Sequence, residues 1–195
     1  LDDEAVATEA GLAVIQTAEA LGKAHKTEAA AALGSAFDAT QSDRLKQQII
    51  AALAKLSALE NLAAGGAASS PDGLESDGSA VGDIGAIDGD EDTFWDEENG
   101  KDLYRYRVTF DEPREVSLIS ISGYEQHNYS PRDFDILCDG ETVKEVRGAT
   151  YEDNRLVVQF DPTRCGSLEL KITGYYGTSP AIRELGIYHF ERTED

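Results

Sequence analysis

Residues 86 to 95 read A-I-D-G-D-E-D-T-F-W, which sets Asp88, Asp90, Glu91 and Asp92 around one glycine and against an aromatic pair. Such a run suits neither a helix nor a strand interior, because Asp and Gly favour turns in which a carboxylate accepts a backbone N–H two residues on. Four carboxylates in one turn repel unless something holds them. Oxygen ligands crowded into a short loop suit a hard cation, and calcium tolerates irregular six- to eight-fold oxygen geometry. Asp88 is then the first side-chain ligand, followed by a carbonyl at Asp90 or Glu91 and an oxygen of Thr93. The loop is not an EF-hand, since the alternating acidic positions and the closing Glu are missing. An ordinary Asx turn without metal remains the alternative reading.

Downstream of this loop the hydropathy period is two. Tyr104, Tyr106, Val108 and Phe110 alternate with Arg105, Arg107 and Thr109, the pattern of a half-buried strand. Further strands are expected at 116–122, 133–138, 142–146, 155–160, 167–173 and 182–190, separated by Asp, Gly and Pro turns. No helical pattern lies between them. Short strands spaced in this way predict an antiparallel sandwich of the jelly-roll kind, not a βαβ fold.

Upstream the period is helical. Residues 3–21 carry Val6, Ala10, Ala13, Val14, Thr17, Ala18 and Leu21 on one broad face, and Gly22 ends the run. An alanine-rich helix is expected at 26–37. A stronger one, beginning at Gln41 or Ser42, has Leu45, Ile49, Ala52, Leu53, Leu56 and Leu59 as its stripe. The runs A-A-A-A-L-G-S-A and I-I-A-A-L-A-K-L resemble helical repeats of the HEAT or armadillo kind, which implies that residues 1–60 end a solenoid. Composition shifts at Ala63 into a Gly-, Ala- and Ser-rich stretch, so the expected division is a helical segment 1–60 and a β-sandwich 61–195.

The 195 residues hold 38 acidic and 17 basic side chains, a net charge of −21. Residues 71–102 contribute twelve of the acids against Lys101 alone. This balance disfavours nucleic acid and anionic membrane as partners. No apolar run is long enough to span a bilayer, and no secretory leader opens the chain. The start at Leu1 and the lack of methionine lead us to expect a piece of a longer polypeptide or a processed product. Cys138 and Cys165 fit either one disulfide or two buried thiols.

Several separated motifs within 61–190 resemble the discoidin, or coagulation factor type C, domains and related bacterial carbohydrate-binding modules with a galactose-binding-like jelly roll. They are N-L-A followed by S-S-P, the acidic turn itself, Y-R-V-T-F, Y-S-P-R-D-F-D-I-L-C-D-G and A-I-R-E-L-G-I-Y. The resemblance implies an eight-stranded jelly roll. It also implies a stabilising calcium held by Asp88 and Thr93, by backbone oxygens around Ile87, Asp90 and Ala181, and by Glu184.

Sugar-binding relatives place aromatic faces and polar groups on loops at one end of the sandwich. The resemblance therefore marks Trp95 with Asp96, Tyr124, Glu125, His127, Asn128 and Tyr129, Asp153 to Arg155, and Tyr175 with Tyr176. Of these, Tyr124, Glu125, His127, Asn128, Arg155, Tyr175 and Tyr176 are the candidate ligand-binding residues, and Trp95 is expected in the core. No H-E-x-x-H, G-x-S-x-G or phosphate-loop motif occurs, so no catalysis is expected. The implied function is a non-catalytic, calcium-stabilised carbohydrate-binding module of a larger secreted, surface or periplasmic protein, with a glycan and neighbouring domains as partners. The alternative is an interaction or structural module without a sugar site.

Overall fold

The computed structural model describes residues 4–72, 81–125 and 128–190. Contacts divide the chain into two units, Asn61–His189 and a helical unit of Leu1–Glu60 joined by the stretch from Phe190.

The helical unit contains α1 (Glu4–Leu21), α2 (Lys26–Ala39) and α3 (Asp43–Lys55). Gly22, with φ of 62°, turns the chain out of α1 into a short 3-10 turn. Ser42 caps α3 by accepting from the Leu45 N–H at 3.1 Å. Leu33, Phe37, Leu45, Ile49 and Leu53 are buried, so the apolar stripes of α2 and α3 face inward, whereas the stripe expected on α1 does not: of its residues Ala18 is buried, while Val6, Ala10, Ala13 and Leu21 are exposed. Phe190 lies against Phe37 with ring centroids 4.8 Å apart.

The second unit holds β1 (Ala67–Ser69), β2 (Trp95–Asp96), β3 (Tyr104–Gly123), β4 (Pro131–Cys138), β5 (Glu141–Val146), β6 (Arg155–Tyr175) and β7 (Ala181–Tyr188). Every pairing is antiparallel, in the order β2-β7-β3-β6-β4-β5, with β1 also on β3. The first part of β3, Tyr104 to Thr109, pairs with the last part of β6, while Leu118 to Ser122 pairs with its beginning. Register shifts between Thr109 and Arg114 and between Val116 and Leu118 separate these parts. Each long strand thus serves both layers, and the layers close on Tyr104, Tyr106, Val108, Ile119, Ile121, Leu170 and Ile172. The architecture is an antiparallel jelly-roll sandwich preceded by a small helical layer.

Two expected breaks are absent. The segments 104–123 and 155–175 run unbroken where the sequence suggests two strands each, while the short β1 and β2 are additional, so the described residues form seven strands where the resemblance implies eight. Asp111 to Pro113 and Asp161-Pro162 resemble turns, yet they lie at irregular points within strands, where a proline's missing N–H is tolerated. The Asp139-Gly140 pair does make the expected tight hairpin between β4 and β5, with φ of 48° and 89°.

The two cysteines lie on β4 and β6 with their Sγ atoms 2.9 Å apart, and both are buried thiols. Cys165 donates to Cys138, which lowers the Cys138 thiol and raises that of Cys165.

Candidate functional site

The acidic turn is a rigid corner. A short 3-10 helix, Gly82–Ala86, brings the chain in, and a Cβ on Gly85 would meet the Phe94 carbonyl at 2.6 Å. The two ends of the turn therefore approach as closely as backbone allows. Ala86, Ile87 and Trp95 are buried in the sandwich core and pin both flanks. Between them Asp88 accepts from the Asp90 N–H and Asp90 from the Asp92 N–H, each at 2.9 Å. These are the Asx turns expected from Asp-Gly-Asp.

Thr93 is the centre of an oxygen cluster. Its Oγ1 lies 2.8 Å and 2.9 Å from the two Asp88 carboxylate oxygens, 2.8 Å from the Asp90 carbonyl and 3.3 Å from that of Gly85. A hydroxyl has one hydrogen to donate, so it cannot satisfy four acceptors together. Glu184, reaching over from β7, accepts from the Gly89 N–H at 2.7 Å and shares a hydrogen bond with Asp88. Burial, together with the nearby Asp88 and Glu91 charges, pushes the Glu184 carboxyl up to about 7.

Among the described residues no three Asp, Glu, His or Cys side chains converge as a metal-binding group. What converges is a mixed oxygen set of two carboxylates, one hydroxyl and backbone carbonyls, short of protons and positive charge. That donor chemistry fits a hard cation. Ile87 has its side chain in the core, leaving its backbone as the only group it could offer. Ala181 opens β7 opposite Asp96, and its N–H donates to the Tyr129 carbonyl.

Arginines brace the outside of this turn. Arg155 grips the Glu91 carboxylate through both terminal nitrogens, at 2.6 Å and 2.9 Å, and this pairing holds Glu91 below its ordinary value. Arg183 donates to the Glu91 carbonyl and to the Tyr124 carbonyl, and its guanidinium lies 4.8 Å from the Tyr124 ring centroid. Arg183 thus touches both the acidic turn and the neighbouring loop.

Beside the turn a cavity of about 380 Å³ opens between the segment 94–99, the residues Tyr124, Glu125 and Tyr129, and the segment 178–181. Phe94, Tyr124 and Tyr129 form its aromatic wall, with centroids 4.4 Å apart for the first pair and 5.8 Å for the second. Asp96, Asn99, Glu125, Thr178 and Ser179 supply its polar groups. The volume falls within the range of small-molecule sites. Strand alternation explains part of the wall, because a buried Trp95 sends its neighbours Phe94 and Asp96 to the other side.

Tyr129 takes a left-handed conformation, φ 64°, unusual for an aromatic residue. Its N–H donates to the Tyr176 carbonyl at 2.9 Å and its carbonyl accepts from Ala181 at 2.6 Å, which together fix that backbone. Gly177, φ 74°, packs against it: a Cβ there would sit 3.2 Å from the Tyr129 nitrogen. A strained aromatic held by its surroundings on a cavity wall is the kind of feature that marks ligand sites.

The expected ligand residues separate into groups. Tyr124 and Glu125 line the cavity. His127 lies outside the described residues. Asn128 closes the turn by donating its N–H to the Glu125 carbonyl at 2.7 Å. Arg155 is engaged by Glu91 in the acidic turn. Tyr175 donates to the Lys101 carbonyl and meets Tyr104 edge-on at 5.3 Å, while Tyr176 donates to the Ala149 carbonyl. Both hydroxyls bind the unit's own backbone.

Trp95 is fully buried, and its Nε1–H donates to Ser70 Oγ and Glu97 Oε1, each at 3.0 Å. Sequence reasoning missed Phe94, Asn99, Thr178 and Ser179. Phe94 could have been found from the alternation around Trp95. The segment holding Thr178 and Ser179 is polar and turn-like, and only folding brings it beside Phe94, Asn99, Tyr124 and Tyr129.

No family model and no curated protein sequence matches the chain. Solved structures do share its fold. The family 32 carbohydrate-binding module of C. perfringens NanJ, in complex with galactose, is 22% identical with a TM-score of 0.54, over 66% of this chain and 97% of that one. CpGH89CBM32-5 from Clostridium perfringens, in complex with GalNAc-β-1,3-galactose, is 19% identical with a TM-score of 0.51, over 67% and 100%. Chitosan-binding module 2 of a chitosanase/glucanase from Paenibacillus sp. IK-5, in complex with chitotriose, is 17% identical with a TM-score of 0.53, over 66% and 100%. The shared feature is the jelly roll of bacterial carbohydrate-binding modules; no specific match to the discoidin family accompanies it.

Proposed function

We propose that the β-sandwich unit is a non-catalytic carbohydrate-binding module. It takes a saccharide in the cavity lined by Phe94, Asp96, Asn99, Tyr124, Glu125, Tyr129, Thr178 and Ser179 and carries calcium in the adjoining acidic turn. The observation that carries this reading is the aromatic wall of Phe94, Tyr124 and Tyr129 set beside convergent polar groups in a cavity of sugar size. Aromatic faces cover the apolar side of a pyranose at small entropic cost, and Asn99, Glu125, Thr178 and Ser179 offer partners to its hydroxyls. Three modules of the same fold are known with saccharides bound, and one of them is named as part of a chitosanase/glucanase. By that analogy the chain serves a larger glycan-acting protein, and weak single-site affinity is compensated by multivalency.

Calcium in the turn would be held by Asp88, Thr93, the Asp90 carbonyl and Glu184. It would supply the positive charge that the oxygen cluster lacks, and Arg183 would carry the resulting rigidity to Tyr124.

Isothermal titration with galactose, N-acetylgalactosamine and chitooligosaccharides tests the sugar reading. Saturable binding that is lost in Tyr124→Ala at unchanged thermal midpoint supports it, and no binding by any saccharide refutes it. Thermal unfolding in chelator and in calcium tests the metal. Calcium at about a hundred times its Kd should stabilise by about 2.7 kcal/mol. Asp88→Asn should abolish the gain, and an unchanged midpoint in the parent protein would remove calcium from the proposal.

A further inference from the structure

β7 carries a bulge where the acidic turn and the cavity meet. Ser122 pairs with Glu184, and the next residue, Gly123, pairs with Ile182, so Arg183 is the extra residue on its strand. A bulge of this kind re-aims a side chain out of the regular ladder. The Arg183 guanidinium donates to the Tyr124 carbonyl at 3.1 Å and to the Glu91 carbonyl, and it lies 4.8 Å from the Tyr124 ring centroid. Its planar fork therefore fixes one carbonyl of the acidic turn relative to one of the cavity loop, which the point charge of a lysine cannot do.

The two sites also share backbone. Thr93, whose hydroxyl faces both Asp88 carboxylate oxygens, is followed directly by Phe94 on the cavity wall. Glu184, which accepts from the Gly89 N–H, directly follows Arg183. The Tyr124 ring stands between them, 4.4 Å from Phe94 and 5.8 Å from Tyr129.

From this we infer that a cation in the acidic turn and a saccharide in the cavity bind cooperatively, with Arg183 as the positioning residue that couples them. The coupling rests on the saccharide and calcium sites proposed above. A cation that fixes residues 88–93 fixes the Glu91 acceptor and, through the guanidinium, the Tyr124 ring before a sugar arrives. The cost of ordering that ring is then met on cation binding and no longer opposes the saccharide. Such coupling is reciprocal, so the sugar raises the affinity for calcium by the factor by which calcium raises the affinity for the sugar. Arg155 already holds the Glu91 carboxylate, which orders part of the turn without a cation and places the coupling at the low end of the usual range, about five-fold.

Titration of the full chain with galactose, N-acetylgalactosamine and chitotriose, in chelator and in saturating calcium, tests this. Calcium should tighten binding of the saccharide by about five-fold, and saturating saccharide should tighten calcium by the same factor. Arg183→Lys keeps the charge but cannot bridge both carbonyls, so it should bring both ratios close to one. Hydrogen exchange in the parent protein gives a readout that needs no variant: calcium alone should slow exchange across residues 118–125. Saccharide affinity that is equal with and without calcium overturns the coupling and leaves both sites standing. A calcium effect that survives in folded Arg183→Lys overturns the role of Arg183 and assigns the coupling to the Thr93–Phe94 connection. If that variant does not fold, exchange across 118–125 that calcium leaves unaltered overturns the same role. Failure of every saccharide to bind, or of calcium to bind, overturns the coupling together with the site concerned.

Discussion

Replacing Trp95 by phenylalanine tests whether the corner ahead of the cavity is built on a buried hydrogen bond. The indole is fully buried, its Nε1–H is shared by Ser70 Oγ and Glu97 Oε1, and Glu97 is itself 2% exposed with Oε2 lacking a partner. Trp95→Phe removes packing worth about 1–2 kcal/mol. It also removes a donor to a buried carboxyl, worth about 1.5–3 kcal/mol. The two effects predict a loss of about 3–5 kcal/mol, to be read by circular dichroism in guanidinium unfolding. The double variant with Glu97→Leu should regain over about 1 kcal/mol, because removing both partners of a buried pair leaves nothing orphaned.

The loss should also depend on pH. Burial raises the Glu97 carboxyl above its ordinary value of 4.5, with the Ser70 and Trp95 hydrogen bonds opposing that rise. A carboxyl raised by folding stabilises the native state fully below its unfolded value, and this contribution is lost as pH rises through the folded value. Without the indole donor the folded value rises further, so the variant's deficit should be smaller below pH 4.5 and larger at neutral pH. A loss under about 1 kcal/mol with a flat pH profile would refute the role given to the indole.

Two other outcomes follow from local geometry. Gly177→Ala places a Cβ at φ 74° and 3.2 Å from the Tyr129 nitrogen. It should cost about 1–2 kcal/mol in chemical denaturation and weaken saccharide binding several-fold by displacing the Tyr129 ring. Unaltered affinity would separate Tyr129 from the site. Incubation with oxidised glutathione should convert Cys138 and Cys165 to a disulfide, the glutathione disulfide taking up the two electrons and both thiol protons to leave as two reduced glutathione molecules. Closing that loop of about 27 residues should stabilise by roughly 3–4 kcal/mol in the chain-entropy picture. Thiol titration and unfolding with and without reductant would check it, and two thiols still reactive after denaturation would contradict it.

Much of the architecture was legible because it depends on local periodicity. The period of two from Tyr104 onward and the helical stripes of α2 and α3 each encode which side of an element meets the core, and the Asp-Gly turns mark where elements end. Their sum is a helical layer followed by an antiparallel sandwich. Asp111 to Pro113 and Asp161-Pro162 misled because turn-forming residues also occur at strand irregularities, and pairing across the sheet distinguishes the two.

The sequence by itself also determined the Asx turns of the acidic stretch, since each needs only a neighbour two residues on. Tertiary structure alone decided the cavity. Its wall joins residues 94, 124, 129 and 178, and their meeting depends on how β2, β7 and the ends of β3 and β6 are aligned. The same alignment placed Arg155 on Glu91 and bound the Tyr175 and Tyr176 hydroxyls to distant carbonyls. A side chain's chemistry can be read from its letter, but whether that chemistry is free for a ligand depends on partners brought near by folding.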